Sequence, residues 1–260
     1  MIEVLKKIAR TLVTFFPSMK DEIYFVRRFF QNVLGLSVEE DFNAIDLFPK
    51  NGNLLYLDVG GNQGAIIDIL LRKNQNCRVN SYEPNPEVFR LTSMRFKNNP
   101  RVKLFNFGLG KMEGNFKLYI PVYRGYKFDG LGSLSSSFDD PWLEEGIYFY
   151  DKNKLSMHEV DCKIKKLDDL DLDPFFIKID VEGFELDVML GGERTIEKSR
   201  PIMLVESVEK DSEIMNFVKK YGYKMYKYSN GVFIQGEKGI PNSFLMTDDK
   251  LEILQRNKNN

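Results

Sequence analysis

Histidine, tryptophan and cysteine are scarce in this chain of 260 residues, with one, one and two copies. Cys77 and Cys162 belong to no C-x-x-C pair and no Cys/His cluster, which excludes a structural zinc site. Two buried thiols in a reducing compartment are the reading that remains. No apolar run approaches the ~18 residues of a membrane span. The opening MIEVLKKIARTLVTFFPSMKDE has early positive charge, but its apolar stretch is only TLVTFF, with no small-residue cleavage site behind it. A secretory signal is therefore not expected, and a soluble, cytoplasmic protein is. Neither sign of charge dominates: 37 basic side chains stand against 38 acidic ones, a net of −1. A protein built around nucleic-acid backbones needs a basic face, so no nucleic-acid partner is expected.

What is present suffices for a core, with 43% hydrophobic and 13% aromatic residues. The length suits one large α/β domain with an added segment. Residues 1–48 read as a helical extension. Val4, Ile8, Leu12, Phe15 and Phe16 recur at helical spacing, with Lys6, Lys7 and Arg10 elsewhere on the wheel, and Pro17 punctuates. A second helix is expected through EIYFVRRFFQNVLGL. A basic amphipathic opening helix suits its own core, a second subunit in a homodimer, or peripheral contact with a membrane surface.

Residues 49–240 alternate strand and helix. Strands are expected at LLYLDV, RVNSYEP, VKLFNFGL, FFIKIDVEG and PIMLVES, and helices at AIIDILLRK, PEVFRLTSMRFKN, FELDVMLGGERTIEK and EIMNFVKKYG. YKMYKYSNGVFIQ reads as a closing antiparallel hairpin turning at Asn230-Gly231. This order predicts an α/β, doubly wound, mostly parallel sheet. FKLYIPV reads as a strand of an added hairpin inside an insertion, about 121–157, that is glycine-, serine- and aromatic-rich. Tyr123, Tyr126, Phe128, Trp142, Tyr148, Phe149 and Tyr150 suit stacking on sugar rings and suit a packed lid equally well; a long segment of this kind is expected to cover an acceptor site. Residues 241–260 read as a tail.

In such sheets ligands sit at the carboxyl ends of the strands. LLYLDVGGNQG ends an apolar run in Asp58, with Gly60, Gly61, Asn62 and Gly64 behind it. The glycines allow a sharp turn and close approach, and the following helix N-terminus offers N–H groups to an anion. Asp58 would repel a pyrophosphate but attract an ammonium or sulfonium. Glu83, followed by Pro84, ends the second strand, where an acid bonds a ribose hydroxyl pair. Asn106 and Gly108 follow the third. These features fit S-adenosyl-L-methionine, which has a carboxylate, an ammonium, a sulfonium and a ribose but no phosphate. The spacing of GGNQG departs from G-x-G-x-x-G, which disfavours an NAD-dependent oxidoreductase.

LDVGGNQG resembles the first motif of the FkbM family of S-adenosylmethionine-dependent methyltransferases, with Gly61 where alanine is more usual. YEPNPEVF is similar to its second-strand segment. LDDL followed by IKIDVEGFELDVMLGGERTI resembles its most distinctive block, and GLGSLSSS, PIMLVE and KKYGY also fit, so the likeness covers roughly 52–235. The resemblance implies a class I methyltransferase-like (Rossmann-like) fold and methyl transfer to a hydroxyl oxygen, with Asp58, Gly60, Asn62 and Gly64 at the cofactor's methionine end and Glu83 on its ribose. It also implies a small-molecule or glycan acceptor.

A hydroxyl is a poor nucleophile at neutral pH, so a base is sought. Asp180 and Glu182 stand two apart at the mouth of the fourth strand, on one face, and Glu206 ends its neighbour. Close carboxylates raise one pKa, which suits a base or a ligand pair for Mg²⁺ or Ca²⁺; nothing in the sequence demands a metal and none is expected. The bland reading is that Glu182 or Glu206 bonds backbone N–H groups or Lys178. His158, the sole histidine, is the runner-up base. IDVEG is not the Asn/Asp-Pro-Pro-aromatic motif of enzymes that methylate a flipped base, which disfavours a nucleic-acid methyltransferase.

Overall fold

The computed structural model describes residues 2–20, 22, 23, 26, 28, 39–136 and 141–258. The chain divides into two compact units, Ser37–Phe116 with Cys162–Asn260, and Met1–Leu36 with Lys117–Asp161. In chain order the elements are α1 (Ile2–Val13), β1 (Leu55–Val59), α2 (Ala65–Lys73), β2 (Arg78–Tyr82), α3 (Pro86–Phe96), β3 (Val102–Phe105), β4 (Gly108–Leu109), β5 (Gly114–Tyr123), β6 (Tyr126–Lys127), α4 (Pro141–Gly146), β7 (Leu155–Lys165), β8 (Phe176–Ile179), α5 (Glu185–Leu190), α6 (Glu193–Ser199), β9 (Ile202–Glu206), α7 (Glu213–Lys219), β10 (Lys224–Ser229), β11 (Val232–Gln235), β12 (Asn242–Met246) and α8 (Asp248–Lys258).

The larger unit is built on one sheet in the order β11-β10-β12-β9-β8-β1-β2-β3. β3, β2, β1, β8 and β9 run parallel; β12, β10 and β11 close the sheet antiparallel. The strand order reverses between β1 and β8, so the mouth of the sheet lies there. Apolar clusters cover both faces, one around Tyr56, Phe176 and Phe244 and the other around Leu57, Ile177 and Val205. Strands buried on both faces read as continuous apolar runs, which is how β1, β8 and β9 were legible.

The expected elements form with four differences. VKLFNFGL is two strands, because the Asn106 amide turns back to donate to Glu83 O (3.0 Å) and Pro84 O (3.3 Å), and β4 then pairs with β7 through Gly108 and Ile164. FELDVMLGGERTIEK is two helices. A Cβ at Gly191 would lie 2.0 Å from Gly110 O, and one at Gly192 2.8 Å from Leu167, so the break is a close approach that only glycine permits. Residues 241–260 are no tail: all five residues of β12 are buried, and it lies between β9 and β10. The extension does not reach residue 48 either, since Phe42, Ala44, Ile45 and Phe48 fill the core of the larger unit. The hairpin β10–β11 turns at Asn230-Gly231 as expected, with both φ values positive (51° and 79°).

The smaller unit contains α1, β6, α4 and most of β5 and β7. Its core is Tyr123, Tyr126, Phe128, Leu143 and Ile147, with Tyr150 stacked on Tyr123 at 5.1 Å. The aromatics of the insertion are thus partly a core of their own; the Trp142 side chain and most of the second expected helix, 22–36, lie outside the described residues. Among the described residues, no helix is long and apolar enough to cross a membrane.

Candidate active site

The glycine loop is held by the strand beside it. Asp58 pairs in register with Ser81, and the Ser81 hydroxyl donates to Asp58 Oδ2 at 2.9 Å. Gly60 and Gly61 N–H both donate to Tyr82 O, at 3.1 and 3.0 Å. Gly60 has φ +84°, and a Cβ there would lie 1.8 Å from Asp180 O, so backbone meets backbone between the loops after β1 and β8. At Gly61 a Cβ would lie 2.0 Å from Ser81 Oγ. Alanine, the more usual residue, would drive Ser81 off Asp58 in this chain.

Asn62 (φ +42°) donates its N–H to Glu83 Oε2 at 2.7 Å, and Asn85 N–H donates to Glu83 Oε1 at 2.7 Å. Glu83 therefore ties the end of β2 to the glycine loop. Asn106 fixes the same corner through the backbone of Glu83 and Pro84. Gly108 lets that corner close, since a Cβ would meet Ile164 at 2.7 Å and Pro84 at 3.3 Å. Gly64, at φ +73°, starts α2. The nine residues expected to bind a cofactor thus gather around the ends of β1, β2 and β3.

Two acceptors in this loop lack donors among the described residues. Asp58 is 1% exposed and its Oδ1 has no hydrogen-bond partner; the buried Asn62 Oδ1 has none either. Burial pushes the Asp58 carboxyl up to about 6, against the pull of Ser81 and the Lys178 ammonium.

Beside the loop a charged row crosses the sheet. Asp58 pairs with Lys178, Lys178 with Leu204, and Glu206 with Asn242. By the two-residue period, Asp58, Lys178, Asp180, Glu206 and Asn242 share one face at the strand ends. Lys178 is 2% exposed, with Nζ 3.0 Å from Asp180 Oδ2, whereas the Asp180 side chain is 38% exposed. Burial raises the Asp180 pKa, but Lys178 and a hydrogen bond from Glu206 prevail and hold it below its usual value. Burial and the negative charge of Asp180 push Glu206 up to about 9. The pair is thus biased towards an ionised Asp180 beside a protonated Glu206.

Glu182 stands at the mouth with φ +51°, followed by Gly183 at +93°. Glu185 Oε1 braces that turn by accepting from Val181 N (3.3 Å) and Gly183 N (3.1 Å). Oxygens of Asp180, Glu182 and Glu206 lie within 4.8 Å of one another, close enough to share a divalent cation, with which Lys178 would compete for Asp180. Behind them, Asn242 donates to both Glu39 and Asp41, whose carboxyls burial also pushes up. Sequence reasoning missed Ser81, Glu185, Glu39, Asp41 and Asn242. Ser81 and Asn242 were readable only through strand register, and Glu39 and Asp41 only through a tertiary contact. His158 lies on β7 in the part belonging to the smaller unit and is not in the carboxylate group.

The sequence profile described as the Methyltransferase FkbM domain matches residues 58–225. No curated protein gives a significant match. Similar solved structures include methyltransferase FkbM from Methylobacillus flagellatus, at 14% identity and TM-score 0.47, covering 76% of this chain and 44% of that one. The chain thus spans less than half of that protein. Precorrin-6y C5,15-methyltransferase from Geobacter metallireducens matches at 16% identity and TM-score 0.41, covering 81% and 88% of the two chains. A SAM-dependent O-methyltransferase from Thermotoga maritima matches at 11% identity and TM-score 0.36, covering 82% and 66%.

Proposed function

The chain belongs to the FkbM-domain methyltransferase family, and on that premise we propose that it transfers a methyl group from S-adenosylmethionine to a hydroxyl of a small molecule, a sugar or glycan intermediate. The observation that carries the reading is the pair of strand-end sites: orphaned acceptors in the glycine loop, and an accessible Asp180 carboxyl, ion-paired with Lys178, next to it.

The loop fits this cofactor better than a dinucleotide. Asp58 Oδ1 and Asn62 Oδ1 are acceptors in need of donors. The ammonium of an amino acid supplies donors; a pyrophosphate supplies only more acceptors and more negative charge. Glu83 and Asn85 at the end of β2 are the groups for a ribose. When bound, S-adenosylmethionine supplies a methyl group already activated on a sulfonium. The protein then has to hold a hydroxyl in line with it, and alignment can supply up to about 7–11 kcal/mol of the barrier in favourable cases.

Asp180 is assigned the acceptor hydroxyl. Its carboxylate accepts the hydroxyl hydrogen bond and takes the proton as the O–C bond forms and the C–S bond breaks. Lys178 keeps that carboxylate ionised, and the proton on Glu206 spreads its charge. Glu182 lines the same mouth. The sugar or glycan class rests on the family resemblance.

Incubation with methyl-labelled cofactor and a panel of sugars, simple alcohols and amines tests this. Label is expected in a hydroxyl-bearing product, and Asp180→Asn is expected to lose it while still binding S-adenosylhomocysteine in a calorimeter. Label in amines alone would refute the hydroxyl assignment.

A further inference from the structure

The helix α1 is turned the unusual way round. Its polar side is fixed to its own unit: Thr11 Oγ1 donates to Lys7 O (2.7 Å) and accepts from Tyr148 N (2.9 Å), and the Lys7 ammonium stands 4.7 Å from the centre of the Tyr148 ring. Thr14, just past the helix end, is buried and bonds back to Thr11 O. Val13 packs against the core of the unit, but a stripe of apolar side chains faces solvent. Val4, Ile8 and Leu12, spaced i, i+4, i+8, are each about half exposed, and Phe15, Phe16 and Met19 continue the exposure. Of the fourteen large apolar side chains exposed among the described residues, seven fall between Val4 and Val26, so the exposure is concentrated rather than scattered.

The charge around this stripe selects its occupant. Residues 1–36 hold Lys6, Lys7, Arg10, Lys20, Arg27 and Arg28 against Glu3, Asp21 and Glu22, a net of +3 in a chain whose total is −1. Lys20 is paired with Asp129, but Arg124 adds a guanidinium 4.3 Å from the centre of the Phe15 ring. A second copy of the chain would bring two cationic segments face to face. A lipid surface bearing anionic head groups offers the opposite charge and an apolar layer beneath it. We propose that α1, with Phe15, Phe16 and Met19, docks the protein on an anionic lipid surface, lying in the interface plane with Val4, Ile8 and Leu12 inserted. This inference is independent of the methyl-transfer reading.

The test is flotation of the full chain with phosphatidylcholine vesicles, with and without phosphatidylglycerol, at low and high salt, next to light scattering without vesicles. The chain is expected to float with the anionic vesicles and to be released by salt. Ile8→Glu with Leu12→Glu is expected to weaken binding at least about tenfold, as charged groups replace inserted apolar ones. Both side chains are half exposed, so the melting curve should not move; Phe16→Glu serves as the second variant should the double one misfold. No flotation, or equal flotation on neutral vesicles, overturns the proposal. So does a dimer that these substitutions convert to monomer, which would assign the stripe to a second copy.

Discussion

The two units break the same rule in opposite directions. At the strand ends of the larger unit, charged groups go in: Asp58 and Lys178 are almost fully buried, and Glu39, Asp41, Asp180 and Glu206 crowd around them. In the smaller unit, apolar groups stay out: Phe15 and Phe16 are each 55% exposed while Thr14 beside them is buried. Each arrangement costs free energy that folding alone gives no reason to spend. Buried charge must be paired, and exposed apolar area forfeits about 25 cal/mol per Å². The backbone repeats the contrast in the larger unit. Left-handed Gly60, Asn62, Gly64, Glu182, Gly183 and Ser207 follow the ends of β1, β8 and β9, where strain clusters at working sites.

The contrast breaks most severely at the glycine loop. Gly60→Val forces a side chain onto Asp180 O at a backbone angle suited to glycine. It should cost about 1–3 kcal/mol from overpacking alone, read as a lowered melting temperature, and abolish binding of S-adenosylhomocysteine. Next in size is Asp180→Asn, which keeps the shape of the row and removes its accessible charge. Turnover should fall about 10²–10⁴-fold with cofactor affinity nearly unchanged, as a kcat measurement with separate calorimetry would show. Lys178→Met sharpens the contrast further. Without its ammonium the pKa of Asp180 rises, so the acid limb of the pH–rate profile should move to higher pH.

A smaller effect concerns stability. The Glu206 carboxyl is raised from 4.5 to about 9 in the folded chain, so it keeps its proton where the unfolded chain releases one. Its contribution is complete below about 4.5 and is lost as pH climbs through about 9. Glu206→Gln, a neutral mimic, should flatten the fall of melting temperature across that window. The smallest effect is expected outside the row: Ile8→Glu in the smaller unit should leave stability within about 0.5 kcal/mol, because that side chain is already about half exposed.

Periodicity and turn chemistry made most of the larger unit legible. Apolar runs marked β1, β8 and β9, and Asn230-Gly231 marked the hairpin. Most of the site was legible too, because a doubly wound sheet dictates that ligands meet strand ends, and Asp58, Glu83, Asp180, Glu182 and Glu206 all stand there. What escaped depends on contacts distant in sequence. β12 is a short apolar run whose place between β9 and β10 no local pattern specifies. The Gly191-Gly192 break answers to Gly110 and Leu167, far along the chain. Lys178 was expected as a structural partner of Glu182 or Glu206; register set it beside Asp58, and its ion pair is with Asp180. Ser81 flanks the loop for reasons of strand register and neighbour, not of motif.

The central claim is that the glycine loop waits for an ammonium rather than a phosphate. Calorimetric titration of the wild-type chain and of Asp58→Ala with S-adenosylmethionine, S-adenosylhomocysteine and NAD⁺ tests it most directly, with melting curves as the check on folding. Binding of both sulfur ligands to the wild type, no binding of NAD⁺, and loss of the sulfur ligands in a folded Asp58→Ala is the predicted result. Binding of NAD⁺ with neither sulfur ligand, or undiminished binding in Asp58→Ala, would contradict it.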